Sequence, residues 1–185
     1  ELSTTSEAAH LVNDVWLPVV MPTVFGQQVN YTALHFVSAD EGWAVGEYYD
    51  VANGDFRGVI VHYTAATGWR LESVSAAPMT GVTMLSRRDG WAVGWRYGLY
   101  GPSAIYLRYV DGVWFPAPGT ASVEPLAIDA VGNGGWAVGY AGAMLRLDGS
   151  AWHAVGLEAN NNLRGVAFDG ATGWAMGAGG VILKH

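Results

Sequence analysis

Gly42-Trp43-Ala44-Val45-Gly46 recurs as Gly90-Trp91-Ala92-Val93-Gly94, as Gly135-Trp136-Ala137-Val138-Gly139 and as Gly173-Trp174-Ala175-Met176-Gly177. The tryptophans are 48, 45 and 38 residues apart. Four copies of a five-residue pattern with an internal Trp mark a true internal repeat. The period matches the ~40–45 residues of a four-stranded propeller blade.

Working outward, each unit divides into four short segments. The first is apolar and partly alternating: Leu34–Ser38, Val82–Ser86, Leu126–Val131 and Leu163–Phe168. The Gly-Trp-Ala-Val-Gly segment follows. The third segment ends on a basic residue, at His62, Arg108, Arg146 and Lys184, and the fourth carries Trp69, Trp114 or Trp152. Short runs rich in Val, Ile, Trp and Tyr, punctuated by Gly, Asp and Asn, read as strands. No run has a helical period, and the first nine residues are expected to form a short helix or to fray.

The fourth unit ends at His185, before an outer strand, while Val12-Asn13-Asp14-Val15-Trp16 matches Val110-Asp111-Gly112-Val113-Trp114. The expected fold is therefore all-β: a small propeller of four four-stranded blades, with residues 14–20 closing the last blade so that no edge is left unpaired. The expected limits are a tail over 1–11 and blades over 31–75, 79–118, 124–156 and 162–185. The alternative is two chains forming one eight-bladed ring by exchanging that strand, which makes a homodimer.

Side chains alternate along a strand. Trp43 and Val45 should thus share one face, with Ala44 and Gly46 on the other. A large face against a small one lets blades approach closely. Trp43, Trp91, Trp136 and Trp174 are accordingly read as core.

The repeat, with its lead Ser38-Ala39-Asp40-Glu41-Gly42, resembles those of photosystem II assembly and stability factors and related BNR-like propellers over about residues 12–185. The resemblance implies a binding or assembly propeller. The photosynthetic relatives have seven blades and a basic contact surface that this acidic chain does not reproduce. A kinship with sialidase Asp boxes is also recognisable, without a counterpart of the sialidase Arg triad and Tyr nucleophile.

The chain has 185 residues, enough for one domain, with a net charge of −7 and no Cys. That balance argues against nucleic-acid binding, which needs a basic face. No apolar run reaches the ~18 residues of a membrane span. Thiolate metal sites and disulfides are excluded. The chain opens on Glu1 without a signal-peptide pattern, which leads to the expectation that a leader was removed or the chain trimmed.

No catalytic constellation emerges. Asp40, Glu41, Asp89 and Asp169 fall at turns and are read as turn-tightening residues. His10, His35, His62, His153 and His185 lack metal-ligand spacing. Asp50, Asn53 and Asp55 have a loose likeness to a calcium loop but not its ligand set. No cofactor, metal or catalytic residue is expected, and the chain is read as not an enzyme.

The informative asymmetry lies between the second and third segments, where units 1 and 2 carry long connections and units 3 and 4 short ones. The long ones supply Tyr48, Tyr49, Asp50, Asp55 and Arg57, and Trp95, Arg96, Tyr97 and Tyr100. Aromatic rings with a few polar groups suit a protein or carbohydrate contact. These nine residues are the expected binding site, on two loops lying side by side. The expected function is a non-catalytic interaction module for a protein or glycan partner, outside the cytoplasm in the extracellular or periplasmic space. Alternatives are a glycoside-active or sugar-binding propeller of sialidase ancestry, and an assembly factor like the photosystem relatives.

Overall fold

Local alternation and two- to four-residue turns produce successive antiparallel sheets in a computed structural model that describes residues 6–119, 121–156 and 160–184. An N-terminal hairpin, β1 (Ser6–Val12) and β2 (Val15–Met21), precedes three four-stranded blades. Blade 1 is β3 (Asn30–Ser38), β4 (Glu41–Asp50), β5 (Asp55–Thr64) and β6 (Gly68–Ser75). Blade 2 is β7 (Met79–Ser86), β8 (Asp89–Gly98), β9 (Gly101–Val110) and β10 (Val113–Pro116). Blade 3 is β11 (Pro125–Val131), β12 (Gly134–Gly139), β13 (Met144–Asp148) and β14 (Ala151–Val155). The last sheet, blade 4, has three described strands, β15 (Leu163–Phe168), β16 (Gly173–Gly177) and β17 (Ile182–Lys184). The inner strands β3, β7, β11 and β15 are neighbours in that order.

The strand expected to close the last blade does something else. Trp16 pairs with Leu11 and Val15 with Val12, so β2 folds back on β1 rather than alongside β17. The cause is the Asn13-Asp14 turn, both of whose residues have positive φ, at 49° and 62°. Such a two-residue turn matches strand twist, and Asn and Asp tolerate it best after Gly. Residues 6–12 are accordingly strand, neither helical nor frayed. Residues 1–5 of the expected tail, and His185, lie outside the described residues.

The blades stack as the alternation predicts. Trp43, Val45 and Ile60 of blade 1 pack on Met79, Val82, Met84, Ala92 and Leu107 of blade 2. Trp91, Val93 and Tyr106 meet Ile128, Ala130, Ala137 and Leu145 of blade 3. Trp136, Val138 and Met144 meet Leu163 and Ala175, with Val166, Phe168 and Leu183 alongside. Each large face therefore covers the next blade's small face. Trp174 departs from the expectation: it is 50% exposed where Trp43 is fully buried, because no described strand lies beyond its large face.

The two glycines of the repeat serve different contacts. A Cβ on Gly46, Gly94, Gly139 or Gly177 would fall on the carbonyl oxygen of Asn30, Pro78, Glu124 or Asn162, just before the bulge that opens each inner strand. That approach lies within a blade, not between blades as the alternation alone implied. The first glycine makes room for the side chain across the ladder, Phe36 over Gly42 and Met84 over Gly90.

The basic third-strand residue is explained by register. His62, Arg108, Arg146 and Lys184 stand opposite Trp43, Trp91, Trp136 and Trp174. The His62 ring stacks on Trp43 at 4.2 Å, and the Arg108 guanidinium lies 4.4 Å over Trp91. A cation over an indole is attracted by the ring's negative face. The seams also carry polar ties. Thr32 Oγ1 donates to the Met79 carbonyl at 2.8 Å, and Thr80 Oγ1 to that of Pro125 at 2.7 Å. Glu72 accepts from Trp43 Nε1 at 3.0 Å and from Trp114 Nε1 at 3.3 Å, which latches blade 1 to blade 2.

His35, Thr83, Asp129 and Ala167 occupy one register position along the inner strands, each opposite the repeat Trp. Burial lowers the His35 pKa below its ordinary 6.5, with the Asp129 charge opposing. The neutral ring is the one the fold accepts, so its contribution is complete above pH 6.5 and is lost as pH falls through the folded-state value. Stability of the wild type should drop more steeply between pH 7.5 and 5 than that of His35→Gln. Urea midpoints at several pH values check this, and parallel curves for the two proteins would refute it.

Candidate functional site

The long connections are not loops. In blade 1 the ladder runs on through Tyr48↔Arg57, Tyr49↔Phe56 and Asp50↔Asp55, leaving only residues 51–54 as a turn. In blade 2 it runs through Trp95↔Ala104, Arg96↔Ser103 and Tyr97↔Pro102 to Gly98↔Gly101, turning at Leu99 and Tyr100. β4 and β8 are consequently ten residues long, against six for β12 and five for β16. Blades 3 and 4 cross instead by one 3-10 turn each, at Tyr140–Gly142 and Ala178–Gly180. Strand extensions hold their side chains more rigidly than loops of the same length.

The nine expected site residues divide sharply. Tyr48 is core: it packs with Met21, Val24 and Val59 and meets Phe25 edge to face. Alternation turns it toward the N-terminal hairpin, and it is no part of a surface. Tyr49 is exposed and lies edge to face with Phe56, ring centroids 5.2 Å apart. Asp50 ties its own turn, accepting from Asn53 Nδ2 at 2.6 Å and from the Ala52 and Asn53 backbone N–H groups. The Asn53 side-chain bond, with those backbone bonds and Arg57, lowers its pKa. Asp55 accepts from the following N–H of Phe56. Arg57 Nε stands 3.7 Å from Asp50. The likeness to a calcium loop is thus an Asx turn filled by N–H donors.

The second hairpin gives the better surface. Trp95 is half-buried, edge to face with Tyr97 at 5.2 Å and with Tyr140 at 6.3 Å. Tyr97 is 69% exposed and donates from Oη to Glu124 Oε1 at 2.7 Å. That bond and the charge of Glu124 raise the Tyr97 pKa, keeping the phenol a donor. Tyr100 and Leu99 project from the tip almost wholly exposed, with Arg96 exposed behind them. The contacts that fix Trp95 and Tyr97 come from blade 3, not from the blade 1 hairpin expected beside them. Tyr140 and Glu124 are the residues that sequence reading missed. Tyr140 follows directly on Gly-Trp-Ala-Val-Gly, the place held by Trp95 in blade 2, and that equivalence was the available signal.

Three of the four turn acids, Glu41, Asp89 and Asp169, are engaged in structure. Glu41 meets His62 at 3.1 Å and Arg87 at 3.0 Å, Asp89 meets Arg108, and Asp169 accepts from the Ala171 and Thr172 N–H groups.

No family model and no curated protein matches the chain. Among solved structures it is similar to one described as YCF48 bound to D1 peptide. The two share 21% identity at a TM-score of 0.55, over 81% of this chain. The match spans about half of that chain's length, 49%. At this identity the likeness speaks for the fold: an all-β chain of propeller blades.

Proposed function

We propose that the chain is a non-catalytic protein-binding propeller unit whose contact surface is the rim formed by the β8–β9 hairpin tip with Tyr140 and Glu124, flanked by Tyr49 and Phe56 of blade 1. The observation that carries this reading is the placement of Trp95, Tyr97, Tyr100 and Tyr140 at strand tips. There Tyr97, Tyr100 and Tyr140 are exposed to solvent, and half-buried Trp95 lies edge to face with Tyr97 and Tyr140. Aromatic and Arg side chains held rigidly at a surface are the groups that dominate protein contacts. The propeller-like neighbour is itself described with a bound peptide, which favours a polypeptide over a glycan. Edge-to-face rings with a Tyr–Glu hydrogen bond give an uneven rim with donors and acceptors, suited to a peptide backbone. The absence of a catalytic role is supported by carboxylates that hold turns, indoles and cations in place.

The test uses the D1 peptide as first probe and a random peptide library as second. Binding is read by the fluorescence of half-buried Trp95 and by calorimetry. A Trp95→Ala/Tyr97→Ala variant should keep the wild-type melting temperature within a few degrees and lose binding at least 30-fold, the ~2 kcal/mol of one interface hot spot. Unchanged affinity in that variant would place the contact elsewhere. Failure of every peptide to bind would remove the protein-binding reading.

A further inference from the structure

Two indoles in the seam between blades 2 and 3 repeat a pair in the first seam but lack the group that joins it. Trp91 stands where Trp43 stands, opposite the basic third-strand residue. Trp152 stands where Trp114 stands, on the outer strand of the following blade. In the first seam both indole N–H groups donate to one oxygen of Glu72, at 3.0 and 3.3 Å. In the second, Trp91 Nε1 and Trp152 Nε1 are buried with no hydrogen-bond partner among the described residues. The place of Glu72 is taken by Ala117. Glu72 lies in the bulge opposite Ile60 and Val61, and the Ala117 N–H bonds at 2.9 Å to the carbonyl of Tyr106, the register equivalent of Ile60. A cavity of about 230 Å³ lies there, lined by Trp91, Arg108 and Ala117 and by the exposed Pro116, Pro118 and Ser150.

We infer that this cavity is a seat for a carboxylate from outside the chain, which takes the place of the Glu72 carboxylate and accepts from Trp91 and Trp152. Buried polar groups are nearly always hydrogen-bonded, and an indole N–H only donates, so the missing partner is an acceptor. Glu72 shows that a carboxylate serves both indoles at once. A bond to an ionised oxygen is also stronger than one to a neutral carbonyl or a water. The cation beside the seat points the same way. Arg108 lies 4.4 Å over the Trp91 ring, where the first seam has His62. Asp89 holds one of its terminal nitrogens, and the guanidinium makes no other hydrogen bond among the described residues. The indole N–H groups are closed to bulk water, so the ligand reaches them by an outward shift of residues 116–118. Its shape is a carboxylate on a short unbranched stem, either free or as a glutamate side chain of a polypeptide. The inference does not rest on the peptide-binding rim, because the cavity lies at the β13–β14 turn, at the other ends of the strands from the β8–β9 tip.

The probe is sodium butyrate at pH 7, titrated into nitrogen-15-labelled protein against sodium chloride of equal ionic strength. Two of the nine indole N–H signals should move downfield together on one saturation curve, as both enter hydrogen bonds. In Ala117→Glu, which supplies the carboxylate from within, those two signals should start at the shifted position, and butyrate should move neither. Ala117→Leu fills the seat with an apolar side chain and serves where the first variant does not fold. Butyrate should move no indole signal in it. A blocked Ala-Glu-Ala tripeptide and its Gln counterpart separate the sources. Saturation by the Glu peptide at a lower concentration than butyrate assigns an acidic side chain of a polypeptide, and the reverse order assigns a free small carboxylate. The inference is overturned if butyrate moves no indole signal of the wild type, if Ala117→Leu responds as the wild type does, or if the Gln peptide binds as tightly as the Glu peptide.

Discussion

Gly94→Leu is expected to abolish folding or to lower stability by ~3 kcal/mol or more, at the upper end of overpacking costs. The new Cβ would fall on the Pro78 carbonyl oxygen. That oxygen accepts the Trp95 N–H at 3.3 Å and belongs to the bulged entry of β7, so backbone and not a flexible side chain would have to move. Ala92→Leu should be costly for another reason, since Ala92 is fully buried beneath Trp43 and Val45 of blade 1. Leu99→Ala, at the exposed β8–β9 tip, should stay within about 0.5 kcal/mol of wild type. Urea denaturation of the three variants decides the matter. Equal midpoints for Gly94→Leu and Leu99→Ala would mean that the close approach is not real.

Trp91→Ala should destabilise the chain by ~3–5 kcal/mol, as for other fully buried large aromatics. Trp91 meets Trp152 edge to face at 5.7 Å in the seam between blades 2 and 3 and carries Arg108 on its ring. Its removal opens a cavity and takes the ring from beneath Arg108, which keeps its ion pair with Asp89. Trp174→Ala, the same substitution in the last repeat, should cost about 1 kcal/mol in dilute solution, the ordinary size for a site that opens no cavity. A comparable loss at both positions would contradict the open face on blade 4. The pair thus tests the stacking order with chemically identical changes.

The repeat was readable because its cause is local. Alternation gave the large and small faces, and glycines marked turns and close approaches. What the sequence hid was three-dimensional. The likeness of Val12–Trp16 to Val110–Trp114 is real, but it describes a hairpin turn and the start of an outer strand, and so does not say which strand lies beside which. Asn13-Asp14 was the better guide, since a two-residue turn with positive φ joins adjacent antiparallel strands at little loop-closure cost. Tyr48 looked like a site residue because its segment was read as a loop. Continued as strand, alternation sends it inward and Tyr49 outward. Tyr140 and Glu124 went unread because neither stands out in composition, and only the neighbouring hairpin gives them a role.

The seams between blades are chemically unequal, and this gives the stack an order of coming apart. At the first seam Glu72 joins the Trp43 and Trp114 indoles. Three residues after the next outer-strand Trp, where Glu72 stands relative to Trp69, the chain has Ala117. There the buried Trp91 and Trp152 Nε1 atoms have no hydrogen-bond partner among the described residues. A buried donor without an acceptor costs ~1–3 kcal/mol that water would return on opening. Parting the second seam therefore returns hydration to two buried donors, a gain that parting the first seam, whose indoles are both satisfied, does not bring. The Glu72 latch thus makes blades 1 and 2 the better-tied pair of the two, and local opening at the second seam is the easier of these two motions.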